Sequence, residues 1–119
     1  MSRYVLTINR WQPATINQLL RRVRTRIRLK KVDRNMVIGY CLKNRIPVAT
    51  GPREVNLTIV LGPRQRGCDP DAYNKSLGDA LVKAKMLIDD SRRYVRWQPA
   101  QYVRGLERGT MIELIDLEE

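Results

Sequence analysis

Val55-Asn56-Leu57-Thr58-Ile59-Val60-Leu61-Gly62-Pro63, followed by Arg64-Gln65-Arg66-Gly67-Cys68-Asp69-Pro70-Asp71, carries the change of pattern that decides the fold. Val55, Leu57, Ile59 and Leu61 alternate with Asn56, Thr58 and Val60, the period of a strand with one buried face. Gly62-Pro63 ends it, since proline has no N–H to give a ladder, and Arg64 to Gly67 forms a basic loop. Beyond Asp71 the apolar period becomes helical, with Leu77, Leu81 and Ala84 inward, joined by Tyr73 or Ala80, and with Asp71 as N-cap. That helix should end near Lys85, and Met86-Leu87-Ile88 leads into Asp89-Asp90.

Working outward, Arg3 to Ile8 reads as a first sheet strand, at an edge or within the sheet, closed by Trp11-Gln12-Pro13. From Thr15, a plausible N-cap, Ile16, Leu19, Leu20, Val23 and Ile27 fall at helical spacing, and Met36, Val37, Tyr40 and Cys41 resume the stripe. This predicts helix over about residues 16–44, with a break near Lys30 to Asp33 as the alternative to a continuous element; Asp33 would then cap the second piece. Tyr94 to Trp97, Gln101 to Arg104 and Thr110 to Leu117 read as two strands, or as a broken strand and a terminal one. The order strand, helix, strand, helix, strand, strand implies an α/β (α+β) fold: a small mixed sheet of about four strands with two to three helices packed on it. Residues 1–119 suit one domain. Trp11-Gln12-Pro13-Ala14 recurs as Trp97-Gln98-Pro99-Ala100, but its flanks do not repeat, and four shared residues read as coincidence.

Composition narrows the chemistry. The chain has no histidine and two widely spaced cysteines, Cys41 and Cys68. Zinc sites, a disulfide framework and histidine acid–base catalysis are therefore not expected. No stretch suits a membrane span or a secretory leader, so a cytosolic location is the expectation. The net charge of +11 is unevenly spread: residues 1–68 hold fifteen Lys/Arg against two Asp/Glu, and residues 69–119 hold eight against ten. Such a balance suggests a polyanionic partner, nucleic acid ahead of a membrane surface or an acidic protein, although a ribosomal or architectural protein would be equally basic. Arg21, Arg22, Arg24, Arg26, Arg28, Lys30, Lys31 and Arg34 form a run of one sign offset only by Asp33. With Arg64 and Arg66 of the loop, they are the candidate phosphate contacts.

Between Val55 and Leu106 the only acids are Asp69, Asp71, Asp79, Asp89 and Asp90. Phosphodiester cleavage without histidine calls for a hard cation held by oxygen ligands, and Asp suits Mg²⁺. Helical steps of four would let Lys75 lean toward Asp69 and Asp71 and offset charge on a phosphate. The same spacing also describes an N-cap and an ordinary Asp71–Lys75–Asp79 salt-bridge ladder, so spacing alone leaves a metal site and a structural role both open.

The run Arg66-Gly67-Cys68-Asp69-Pro70-Asp71-Ala72-Tyr73-Asn74-Lys75, then Asp79-Ala80-Leu81, then Leu87-Ile88-Asp89-Asp90-Ser91, resembles the signature of the RusA family of Holliday junction resolvases. Pro13 to Arg21 is also similar to members that carry Pro and Asn after the first strand. The resemblance implies metal-binding carboxylates at Asp69, Asp71 and Asp90, with Asp89 the weaker member of its pair, and a catalytic lysine at Lys75. Asp79 would support the helix. It further implies Mg²⁺ as cofactor, with Mn²⁺ as substitute, a homodimer, and paired symmetric nicks across branched DNA, the four-way junction. Two positions depart from that pattern: Ala72 stands where asparagine is frequent, and Lys85 where glycine is frequent. A left-handed backbone at Lys85 would cost ~1–2 kcal/mol. The alternatives are a non-catalytic basic nucleic-acid-binding protein and a related nuclease acting on flaps or forks.

Overall fold

The computed structural model describes residues 2–117. Its order is β1 (Arg3–Asn9), α1 (Ile16–Leu19), α2 (Val23–Lys43), β2 (Arg53–Leu61), α3 (Asn74–Lys83), β3 (Val95–Trp97), β4 (Gln101–Arg104) and β5 (Gly109–Asp116). The five strands form one mixed sheet, so the expected α+β class holds, with one strand beyond the four or so expected. β5 lies in the middle, antiparallel to β1 on one side and to β2 on the other. β3 and β4 both run parallel to β2, on Arg53–Val55 and Thr58–Leu61 respectively. They are one edge strand interrupted by Gln98-Pro99-Ala100, where Pro99 offers no N–H to the ladder. The repeated Trp-Gln-Pro-Ala segment thus ends a strand at both occurrences.

Alternation on β2 does what its sequence implies. Val55, Leu57, Ile59 and Leu61 are buried, and the intervening residues are half-buried. These join Leu6 and Ile8 of β1, Ile112 and Leu114 of β5, Val37 and Cys41 of α2, and Leu77, Ala80 and Leu81 of α3 in one core. Arg53 is on the same face and 2 % exposed. Its guanidinium is satisfied by Asp116 Oδ1 at 2.7 Å and by the Met86 and Pro47 carbonyls at 3.1 and 2.9 Å, as a buried charge requires.

α2 departs from expectation in two ways. The interruption falls at Leu20–Arg22, between α1 and α2, and the helix runs unbroken through Lys30–Asp33. Asp33 caps nothing; it is 3 % exposed in mid-helix. Second, the stripe Ile16, Leu20, Val23 and Ile27 is 37–75 % exposed, and the residues α2 buries are Asp33, Val37 and Cys41. Its C-terminal half therefore carries the packing and its N-terminal half presents the arginines to solvent.

Both long helices end with a side-chain-bearing residue in the left-handed region. Arg45 (φ 54) follows α2, and Lys85 (φ 63) follows α3. After α3, Met86 N–H donates to Leu81 O and Lys85 N–H to Val82 O, the paired bonds of a Schellman ending, in which glycine is ordinarily favoured. The cost foreseen for Lys85 is thus incurred. Lys85→Gly is expected to raise stability by about 1 kcal/mol, read as a higher urea midpoint at unchanged slope.

Candidate functional site

β2 ends at Leu61, and the basic loop after it is held by β4. Arg104 donates to the Gly62 and Gln65 carbonyls. The Tyr102 hydroxyl accepts from Cys68 N–H at 3.2 Å and donates to Cys68 O. The ring of Tyr102 lies over Gly67, where a Cβ would come within 3.1 Å of it. Any side chain there would have to displace the Tyr102 ring by a few tenths of an ångström. Cys68 Sγ is 3.3 Å from the Tyr73 hydroxyl, and the Tyr73 and Tyr102 rings are 6.4 Å apart. Burial pushes both phenols above their ordinary pKa, so both stay protonated and neutral.

Two consecutive turns follow. Ala72 N–H donates to Asp69 O at 2.9 Å and Asn74 N–H to Asp71 O at 3.2 Å. Ala72 and Tyr73 are buried, while Asp69 and Asp71 remain exposed. Asp71 is not the N-cap expected of it: Tyr73 holds that position and its side chain makes no capping bond. The backbone carbonyls shape this turn, which leaves the Asp69 and Asp71 carboxylates outside its hydrogen bonding.

Lys75, on the first turn of α3, is exposed and makes no ion pair among the described residues. Its neighbour Ser76 is 1 % exposed and donates to Asp33 Oδ2 at 2.6 Å. Asp33 also accepts from Trp11 Nε1 at 3.0 Å and from Ala14 N–H at 2.7 Å. One buried carboxylate therefore ties the β1–α1 connection, α2 and α3 together and fixes the rotation of α3 that points Lys75 outward. Burial raises the Asp33 pKa from its ordinary 3.8, against the lowering effect of its three donors. The sequence offered no sign of this hub: a lone acid in a basic helix looks like a cap.

The intrahelical salt-bridge ladder is replaced by an interhelical contact, Lys30 Nζ to Asp79 Oδ2 at 3.2 Å. Lys30, Arg34, Asp79, Lys83, Asp89 and Asp90 line a cleft of about 430 Å³ between α2, α3 and the segment after α3. Asp90 packs against the middle of α3, its Cβ 3.8 Å from where a Gly78 Cβ would stand, and Asp89 Oδ1 accepts from Asp90 N–H at 2.7 Å. Gly78 is one helical turn from Lys75. The carboxylates thus lie in two places: Asp69 and Asp71 at the start of α3, Asp79, Asp89 and Asp90 along its side. Among the described residues no three of His, Cys, Asp and Glu gather as a metal-holding group. The donors suit Mg²⁺ in kind, being exposed short carboxylates. Mg²⁺ is commonly held by one or two carboxylates, with water and substrate phosphate filling the other positions, so a closed cage is not required.

Of the candidate phosphate contacts, Arg21, Arg22, Arg24, Arg26, Arg28, Lys31, Arg64 and Arg66 are exposed, and Lys30 is half-buried in its pair with Asp79. Arg21 and Arg66, 45 positions apart in sequence, line the same cleft beside Cys68, together with Arg108. Arg108 stands alone in the turn before β5, and no sequence pattern singles it out. No helix among the described residues is long and apolar enough to cross a membrane. Neither a protein-family model nor a curated protein matches this chain.

Proposed function

We propose that this chain is a Mg²⁺-dependent, structure-selective DNA endonuclease that resolves four-way junctions by paired symmetric nicks. The observation that carries the reading is the placement of Asp69, Asp71 and Lys75, exposed and unpaired among the described residues, at one helix start beside an arginine-lined cleft.

In this reading Asp69 and Asp71 would hold the ion at the start of α3, and Asp90, with Asp89 in a lesser role, would contribute from the side of that helix. When bound, Mg²⁺ supplies Lewis acidity to a phosphate and lowers the pKa of a water. Lys75 contributes a positive charge against the phosphate oxygens, which strengthens as charge accumulates in the transition state. The arginines of α2 and of the loop hold the strands through their phosphates, which positions without reading sequence. A junction presents two equivalent strands, and a two-fold homodimer would place one site on each.

The competing reading is a basic nucleic-acid-binding protein without catalysis. It draws on the division of the carboxylates between two places and on the commitment of Asp79 to Lys30. Incubating the protein with a synthetic four-way junction in Mg²⁺, in Mn²⁺ and in chelator, beside linear duplex of the same sequence, separates the two. Symmetric nicks in the junction alone, abolished by chelator, are expected. A junction that is bound but uncut in both metals would reject the enzymatic reading, and equal cutting of linear duplex would reject structure selectivity.

A further inference from the structure

The cleft containing Arg21, Arg66 and Arg108 has a volume of about 300 Å³. Its remaining wall includes the amides of Gln12 and Gln18 and the thiol of Cys68. Arg108 is held there. Its stem crosses Gly62, where a Cβ would stand 3.1 Å from Arg108 Cγ, and its Nη2 donates to Gln12 Oε1 at 2.9 Å. Gln12 is itself fixed, because its Nε2 donates to Val60 O and to Gln65 Oε1, both at 2.9 Å, while Gln65 Nε2 returns a bond to Gln12 Oε1 at 2.6 Å. A glycine and a reciprocal pair of glutamines thus orient one guanidinium, and none of them neutralises it.

The neighbouring carboxylate does not neutralise it either. Glu107, adjacent in sequence, is paired with Arg10 at 3.3 Å. Among the described residues none of Arg21, Arg66 and Arg108 has an ion-pair partner. Three like charges around one concavity repel, and an anion bridging them removes that repulsion and gains charge-assisted hydrogen bonds. Cys68 is part of the cleft wall, and Asp69 is the next residue.

We propose that this cleft is a phosphodiester subsite that grips the nucleic-acid strand one step from the Asp69–Asp71 turn, with Arg108 as its preset anchor. The proposal rests on the nuclease reading for its place beside the reacting phosphate, but its binding chemistry stands on the cleft alone.

The test is a titration of a fluorescently labelled four-way junction in chelator across a salt series, with Arg108→Gln, Gly62→Ala and, as a charge control distant in sequence, Lys43→Gln. Each phosphate contact adds roughly 0.9 to the slope of log affinity against log salt. Arg108→Gln is expected to weaken binding severalfold and to lower the slope by about 0.9. Gly62→Ala should weaken binding while leaving net charge intact, and Lys43→Gln should change neither readout appreciably. A junction carrying an uncharged methylphosphonate next to the nick position should lose affinity for the parent chain and not for Arg108→Gln. Arg108→Gln behaving like Lys43→Gln, with its thermal melt unchanged, would overturn the subsite. Nicking is scored in parallel in Mg²⁺. A parent chain that shows the Arg108-dependent slope without nicking would sink the enzymatic reading alone, and nicking with no Arg108-dependence in the slope would sink the subsite alone.

Discussion

Asp71→Asn is expected to bind a four-way junction within a fewfold of the parent affinity and to nick it at least about 100-fold more slowly, a loss of roughly 3 kcal/mol of transition-state stabilisation. The substitution preserves shape and removes one negative charge. It leaves the local fold alone because the turn at this position is made by the Asp71 carbonyl, which accepts from Asn74 N–H, and not by the carboxylate. An unchanged thermal melt should therefore accompany the loss of rate. Lys75→Met is the companion variant: Lys75 is exposed and without an ion pair among the described residues, so stability should again hold while nicking falls. Calorimetric titration with Mg²⁺ or Mn²⁺ should show weakened binding for Asp71→Asn and near-parent binding for Lys75→Met. If both variants nicked at the parent rate, these residues would be reduced to surface charges.

The second large effect concerns stability. Asp33→Ala should cost about 3–5 kcal/mol, measured by urea unfolding, because it strands the donors of Trp11, Ala14 and Ser76 in a buried place. For a domain whose total stability is of order 5–15 kcal/mol, that is a major fraction. Asp33→Asn is a milder probe with a specific expectation. Trp11 donates to Oδ1 and Ala14 to Oδ2, so either orientation of an amide turns its NH₂ toward one of those two N–H groups. The Ser76 hydroxyl can reverse and the two N–H donors cannot, so about 1–3 kcal/mol should be lost. Because Ser76 adjoins Lys75, nicking should fall in both variants even below their melting temperatures.

Asp33 also has a definite pH signature. Its folded-state pKa lies above the ordinary 3.8, so between those two values the folded chain binds more protons than the unfolded chain. Its contribution is therefore fully present below about pH 4, declines as pH rises through the raised pKa, and is level beyond it. Replacing Asp33 by Asn should remove that declining component from the stability profile. An identical pH profile in the two proteins would show that Asp33 does not titrate over that range in the folded state.

The architecture was largely legible in the residue pattern, for a physical reason. A strand with one buried face must alternate, and β2 does so for its whole length before Gly62-Pro63 removes the ladder donor. The same logic placed β1, β5 and α3, and left open whether the segments of β3 and β4 are separate strands or one broken strand. Apolar spacing held at Leu19 and failed for the rest of α1 and the first turns of α2. Periodicity shows which side chains share a face, and it cannot show whether another element lies beneath that face; Leu20, Val23 and Ile27 line up and are nonetheless exposed. Capping inferences failed at Asp33 and Asp71 for a related reason, since a short acid before or within an apolar run looks the same whether a backbone N–H or a distant side chain faces it.

The aspartates and Lys75 were nameable from their spacing and from the family pattern those spacings resemble, because residues within one turn of a helix are brought near one another by local geometry alone. The joining of Arg108 to Arg21 and Arg66, the seating of Asp90 against Gly78, the pairing of Lys30 with Asp79 and the threefold bonding of Asp33 depended on the tertiary structure. Each joins segments separated by many residues, through contacts that exist only once the sheet has set the relative positions of loop, helix and turn.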